Sequence, residues 1–164
     1  MKKIGLAVVC ISDRSADGTR EDLSGPAISE ACRDLCDTLI YTIIADDYEK
    51  IKTELLNICR DERIQLVLTT GGTGLAPRDV TPEATLAVAD KIVPGICEEI
   101  RRQSLRYTPN AMLSRAVSVI CNNTLIINLP GSPKAVKECC DIIRPILPHA
   151  ADLLGNSVKD CARN

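Results

Sequence analysis

The chain is nearly devoid of aromatic residues: it has three Tyr and neither Phe nor Trp. Single-stranded nucleic acid binds on aromatic stacking platforms, so that class of partner loses its main means of recognition. The core must instead be built from Val, Ile, Leu, Ala and Cys. There is one histidine, His149, and no Cys-x-x-C pair, which removes the usual spacing of a structural zinc site. His149 follows Pro148 among apolar residues and reads as a structural histidine rather than a catalytic one. No basic run interrupts a net charge of −2, arguing against general binding to nucleic acid or anionic membranes. No segment is long and apolar enough to span a bilayer. Met1-Lys2-Lys3 and the apolar run to Cys10 imitate an export signal, but the run is too short and leads straight into Asp13-Arg14. The nine cysteines, from Cys10 to Cys161, are odd in number and sit mostly among apolar residues. They read as buried reduced thiols in a cytoplasmic protein.

What is present is an alternation of β-rich and helical segments over 164 residues, a length that suits one domain, 1–164. Residues 4–11 form a continuous apolar run of the kind found in a central parallel strand. A long polar loop from Ser12 to Ser24 precedes a helix opened by Gly25-Pro26, with Ile28, Ala31, Cys32 and Leu35 on its apolar face. Residues 38–45 predict a second strand, and Ile51, Leu55 and Cys59 mark the buried face of the helix that follows. Residues 65–70 predict a third strand. Thr81-Pro82-Glu83 looks like a helix start with Thr81 as N-cap, and Val93-Pro94-Gly95 ends that helix and begins another. Runs 116–121 and 124–129 flank Asn122-Asn123, which predicts a hairpin. Ser132 and Pro133 open a last helical region that Pro145 and Pro148 should kink. The pattern predicts an α/β three-layer sandwich: a mostly parallel central sheet flanked by helices, with one short antiparallel hairpin.

Ligands of open α/β sheets bind outside the carboxyl ends of the strands. Several unusual polar sequences follow apparent strand ends: Ser12-Asp13-Arg14, Asp46-Asp47, Thr69 to Gly74, and Asn128 to Pro133. In Thr70-Gly71-Gly72-Thr73-Gly74 the glycines permit positive φ and let backbone N–H groups approach an anion, with threonine hydroxyls as further donors. The loop is neither a Walker A sequence nor a dinucleotide fingerprint. Pro130-Gly131-Ser132-Pro133 offers either a second phosphate cradle or an efficient helix cap. Arg115, after Ser114, is suited either to clamping phosphate or to a surface ion pair. Asp79, Asp46 and Asp47 each precede a helix, so each is either a cap or a ligand for a metal or substrate. Two carboxylates at a phosphate site make sense with Mg²⁺ between them.

Together, Leu68 to Gly74, Pro77 to Thr85, Ala111 to Arg115, and Thr124 to Pro133 closely resemble the molybdopterin adenylyltransferase family. That family includes bacterial MogA proteins and the G domains of plant Cnx proteins and animal gephyrin. Ser12-Asp13-Arg14, Gly18, Asp22 and Ser24-Gly25-Pro26 are similar to the family's opening motif, so the likeness spans roughly residues 4–154. The resemblance implies Mg²⁺-dependent transfer of AMP from ATP to molybdopterin, with release of pyrophosphate. It places molybdopterin near Thr70–Gly74 and matches two functional acids to Asp46 and Asp79, with Asp47 competing for the first. It implies a homotrimer and hand-over of product to a metal-insertion protein, for molybdenum or for tungsten. The same resemblance admits a binding-only protein like the related MoaB proteins. A gephyrin-like scaffold fits a single domain poorly.

Overall fold

A computed structural model describes residues 3–155. Met1 and Lys2 of the signal-like start, and Cys161, lie outside the described residues. The expected strands form β1 (Ile4–Ile11), β2 (Cys36–Ile44), β3 (Leu66–Thr70), β5 (Ser118–Cys121) and β6 (Thr124–Leu129). A further strand, β4 (Lys91–Ile92), has only two residues, too few to show a period. The helices are α1 (Asp13–Ala16), α2 (Ser24–Cys32), α3 (Tyr48–Ile58), α4 (Thr81–Leu86), α5 (Pro94–Ser104), α6 (Pro133–Ile143) and α7 (Leu147–Leu154). As the prolines predict, a 3-10 turn at Arg144–Ile146 separates α6 from α7.

The six strands run in the order β2-β1-β3-β6-β5-β4. The pairs β1–β2, β1–β3 and β3–β6 are parallel. The expected hairpin joins β5 and β6, turning at Asn122 with φ 53°. The sheet has a second antiparallel pairing, β4 with β5.

Side chains of β1 alternate between two cores because successive residues face opposite sides of a strand. Leu6 and Val8 pack with α2, α5, α6 and α7, while Ala7, Val9 and Ile11 pack with α3 and α4. Buried aliphatic side chains fill both layers, and each large one contributes about 1.5–3 kcal/mol. The eight described cysteines are buried and unpaired. No helix among the described residues is long and apolar enough to cross a membrane. His149 is exposed on α7, not held in the core as its neighbours in sequence suggest.

The chain leaves β1 toward β2 on one side and returns to β3 on the other. The loops after β1 and β3 therefore diverge, opening a crevice at the carboxyl rim.

Candidate active site

Four loops meet at this rim. Asp13 and Asp46 exchange bonds: the Asp13 N–H donates to Asp46 Oδ2 at 2.8 Å, and the Asp46 N–H donates to Asp13 Oδ1 at 3.0 Å. The ring ties the loop after β1 to the loop after β2. Asp47 is engaged elsewhere, since its Oδ1 accepts the Lys50 N–H at 2.9 Å and caps α3. The two adjacent acids are thus separated by geometry, and it is Asp46 that lines the crevice.

Asp79 faces the same crevice. Its Oδ2 accepts the Ala76 N–H at 3.0 Å, holding the loop before α4. Burial raises the Asp46 carboxyl above the usual carboxylate range, and the charges of Asp13 and Asp79 add to that. Asp13 moves the other way, because the Arg78 guanidinium bonds it.

The glycine loop is packed against these acids. Gly71 has φ 98° and Gly72 φ 64°. A Cβ on Gly71 would collide with the Ile11 carbonyl oxygen; one on Gly72 would strike Thr81 Oγ1 and come within 3.0 Å of Asp46 Oδ1. A Cβ on Gly74 would lie 2.8 Å from Asp79 Oδ2. The N–H groups of Gly72, Thr73 and Gly74 donate to no group among the described residues.

Several nominated side chains hold the loops to each other. The Thr70 hydroxyl donates to the Pro130 carbonyl at 2.7 Å, so it is not the free donor expected from sequence. Thr81 is not the N-cap; Val80 occupies that position, and Thr81 Oγ1 donates to the Gly71 carbonyl at 3.0 Å. Arg115 is engaged by protein groups. Its Nε donates to the Gly74 carbonyl at 2.7 Å and its Nη2 to the Asp79 carbonyl at 2.5 Å, while Nη1 pairs with Glu83. Ser132 caps α6, accepting from the Ala135 N–H at 3.5 Å.

Two cavities flank the loops. The first, about 450 Å³, is polar and contains Ser12, Asp46, Thr70, Gly71, Gly72, Asp79, Gly131 and Pro133. The second, about 470 Å³, is mainly apolar, with Leu75, Ile100, Ala111 and Leu113 beside Thr73, Gly74, Ser114 and Pro130. Ser132 and Arg115 line neither. The two loops thus form a ridge between a polar and an apolar compartment.

Sequence reasoning singled out none of Asp13, Arg78 and Asp22 as a site residue. Asp13 and Asp22 line the polar cleft, and Arg78 is bonded to Asp13. Asp22 accepts the N–H groups of Ser24 and Gly25 and the Tyr41 hydroxyl, the last at 2.8 Å. For the two acids, the signal in the sequence was their place in the polar stretch after β1.

Residues 7–149 match the family model described as a probable molybdopterin binding domain. The chain belongs to this molybdopterin-binding domain family. Relatives within the family include the molybdopterin adenylyltransferase of Helicobacter pylori strain 26695, 45% identical across 100% of this chain and 96% of that protein. The Escherichia coli K12 protein of the same name is 43% identical over 88% of this chain and 75% of its own length. The crystal structure of the molybdopterin biosynthesis enzyme MoaB from Thermus thermophilus superposes with a TM-score of 0.88 at 41% identity, covering 93% of this chain and 97% of that one. The fold on which the ridge and its two compartments are built is thus shared with that structure.

Proposed function

We propose that this chain is a molybdopterin adenylyltransferase of molybdenum cofactor biosynthesis. An oxygen of the terminal phosphate of molybdopterin attacks the α-phosphorus of ATP. The bond from that phosphorus to the β-phosphate bridging oxygen breaks, and pyrophosphate leaves with the bonding electrons. Adenylylated molybdopterin is the product. The observation that carries this reading is the ridge, where successive residues of the same glycine loop line a polar cavity and an apolar one, room for two chemically different ligands.

Phosphoryl-type transfer rests on positioning and charge stabilisation, so no Cys or Ser nucleophile is needed. The unpaired N–H groups of Gly72, Thr73 and Gly74 suit phosphate oxygens on the ridge. Two carboxylates beside a triphosphate would repel it; the Asp46 carboxyl is raised chiefly by burial, with the charges of Asp13 and Asp79 adding to it. That donor set fits Mg²⁺, which takes one or two carboxylates and fills its shell with water and phosphate oxygens. Asp46 and Asp79 would hold the ion directly or through water, and when bound it would offset charge on the phosphates. Ser12 and Gly131 border the same cleft, while Ser114 and Pro130 border the apolar one and suit the second ligand.

The family likeness also supports a cytoplasmic homotrimer that hands its product to a metal-insertion protein. Leu75, Met112 and Leu113 leave apolar surface exposed near the second cavity, which suits subunit packing. Light scattering should return three times the chain mass.

The deciding assay mixes the purified protein with molybdopterin and Mg-ATP and follows pyrophosphate. Release that depends on both substrates is expected. Tight molybdopterin binding with no pyrophosphate would transfer the protein to the binding-only reading.

A further inference from the structure

Among the carboxylates that line the polar cleft, Asp13 differs from Asp46 and Asp79 in how its oxygens are used. Oδ1 of Asp13 accepts from the Asp46 N–H at 3.0 Å and from Arg78 Nη2 at 2.8 Å. Its Oδ2 accepts from Arg78 Nε at 2.6 Å. The pairing is the planar, two-pronged kind that fixes orientation as well as charge. Both oxygens of Asp13 are therefore engaged, whereas Oδ1 of Asp46 accepts from no group among the described residues. Through its own N–H, Asp13 also grips Asp46 Oδ2 at 2.8 Å. The chain Arg78–Asp13–Asp46 thus joins three loops: those after β1 and β2, and the one leading into α4.

We infer that Asp13 and Arg78 form a latch that positions Asp46, leaving its free oxygen toward the cleft as Asp13 itself is withdrawn from ligand binding. Asp13 and Arg78 are positioning residues, not catalytic ones. The inference rests on the adenylyl-transfer reading for its consequence in turnover, and on the geometry alone for its consequence in cation binding. Removing one member disturbs the rest: without Arg78 the Asp13 carboxylate becomes an uncompensated charge beside Asp46, and without the Asp13 carboxylate the backbone N–H that holds Asp46 Oδ2 remains but its loop loses the tie to Arg78 that fixes its position. Loss of a partner that orients a ligating carboxylate costs roughly 10–100-fold in metal affinity or activity.

The test uses Asp13→Asn, Arg78→Gln, Arg78→Lys and the Asp13→Asn/Arg78→Gln double variant of the full chain. Arg102→Gln is the control, because Arg102 makes a similar exposed two-pronged pair with Glu99 on α5 and lines neither cavity. One readout is Mn²⁺ binding in the presence of a non-hydrolysable ATP analogue, followed by electron paramagnetic resonance. The other is pyrophosphate release.

Asp13→Asn and Arg78→Gln should each weaken Mn²⁺ binding and lower kcat about tenfold or more. The KM for molybdopterin should stay within about twofold, since neither residue lines the apolar compartment. The double variant should be no worse than the poorer single one, Arg78→Lys should recover part of the loss, and Arg102→Gln should match the unaltered protein. Additive losses in the double variant, unchanged Mn²⁺ binding in both single variants, or an unaltered protein that binds no Mn²⁺ would each overturn the latch. If the unaltered protein releases no pyrophosphate but its Mn²⁺ binding falls in the variants as described, the latch stands and the transfer reading fails.

Discussion

At the scale of single residues, Asp46, Asp79 and Gly72 carry the sharpest expectations. Replacing either acid by Asn keeps the size and removes the charge. Each change should reduce pyrophosphate release by about 10²–10³-fold, the usual cost of deleting one group that stabilises transition-state charge. Normal turnover in Asp79→Asn would remove that residue from the chemistry. Gly72→Ala is a conformational test. Its φ of 64° and the contact with Thr81 make a methyl group costly there, by about 1–3 kcal/mol in denaturant unfolding. Much of this was legible in the sequence, because three glycines in four positions, beside Thr70 and Thr73, permit positive φ and close backbone approach. The choice between Asp46 and Asp47 was not legible. Both precede a helix, and only the three-dimensional path of β2 decides which carboxylate caps α3 and which turns into the cleft. Arg115 was open for a similar reason: its partners Gly74, Asp79 and Glu83 are 41, 36 and 32 residues away.

At the scale of elements, strand and helix starts with proline and serine signals were readable, and Ser132 caps α6 as its position before Pro133 predicts. Ser132→Ala should cost about 1 kcal/mol of unfolding free energy, with little effect on molybdopterin binding if its role is confined to the cap. Strand β4 escaped notice because two residues carry no periodicity; it is fixed by antiparallel pairing of Lys91 with Ile120. Asn128 shows what packing adds to a pattern. Within the apolar run of β6 it is fully buried, donates to the Thr69 and Thr85 hydroxyls, and accepts the Val117 N–H at 3.2 Å. One side chain thereby joins β3, β6, α4 and the approach to β5. Asn128→Leu strands three polar groups in the interior, and a loss of about 1–3 kcal/mol per orphaned group sets the expected order of destabilisation. An unchanged urea midpoint would show that these groups find other partners.

For the whole molecule, acid should be the main threat to stability. Arg63 holds the Asp61 carboxyl down at about 2, and Arg102 does the same for Glu99. Arg78 and Arg144 depress Asp13 and Asp34. A carboxyl depressed by folding contributes stability above its unfolded pKa, near 4, and loses it as pH falls through the folded value. Asp46 opposes this trend: its raised carboxyl makes the charged form unfavourable in the folded state, so protonation relieves the fold. The net expectation is a urea midpoint that is flat from neutrality to about pH 5 and falls below about pH 4. The slope should be modest, because these ion pairs are exposed. Thiol titration offers a separate check on the interior. All eight described cysteines are buried, and burial pushes Cys139 up to about 12, so a thiol reagent should react slowly until denaturant is added.

The scarcity of rings also governs how this molecule can be watched. With no Trp, its near-ultraviolet absorbance and its intrinsic emission come almost wholly from Tyr41, Tyr48 and Tyr107, all of them surface residues rather than core ones. Unfolding therefore exposes no buried chromophore and should leave the emission spectrum nearly still, so circular dichroism is the better gauge of the fold. Tyr41 alone of the three is bonded to a cleft residue, through Asp22. The protein is an optically quiet vessel, in which the light absorbed by a bound pterin or adenine is read against almost no background and a single phenol reports from the rim.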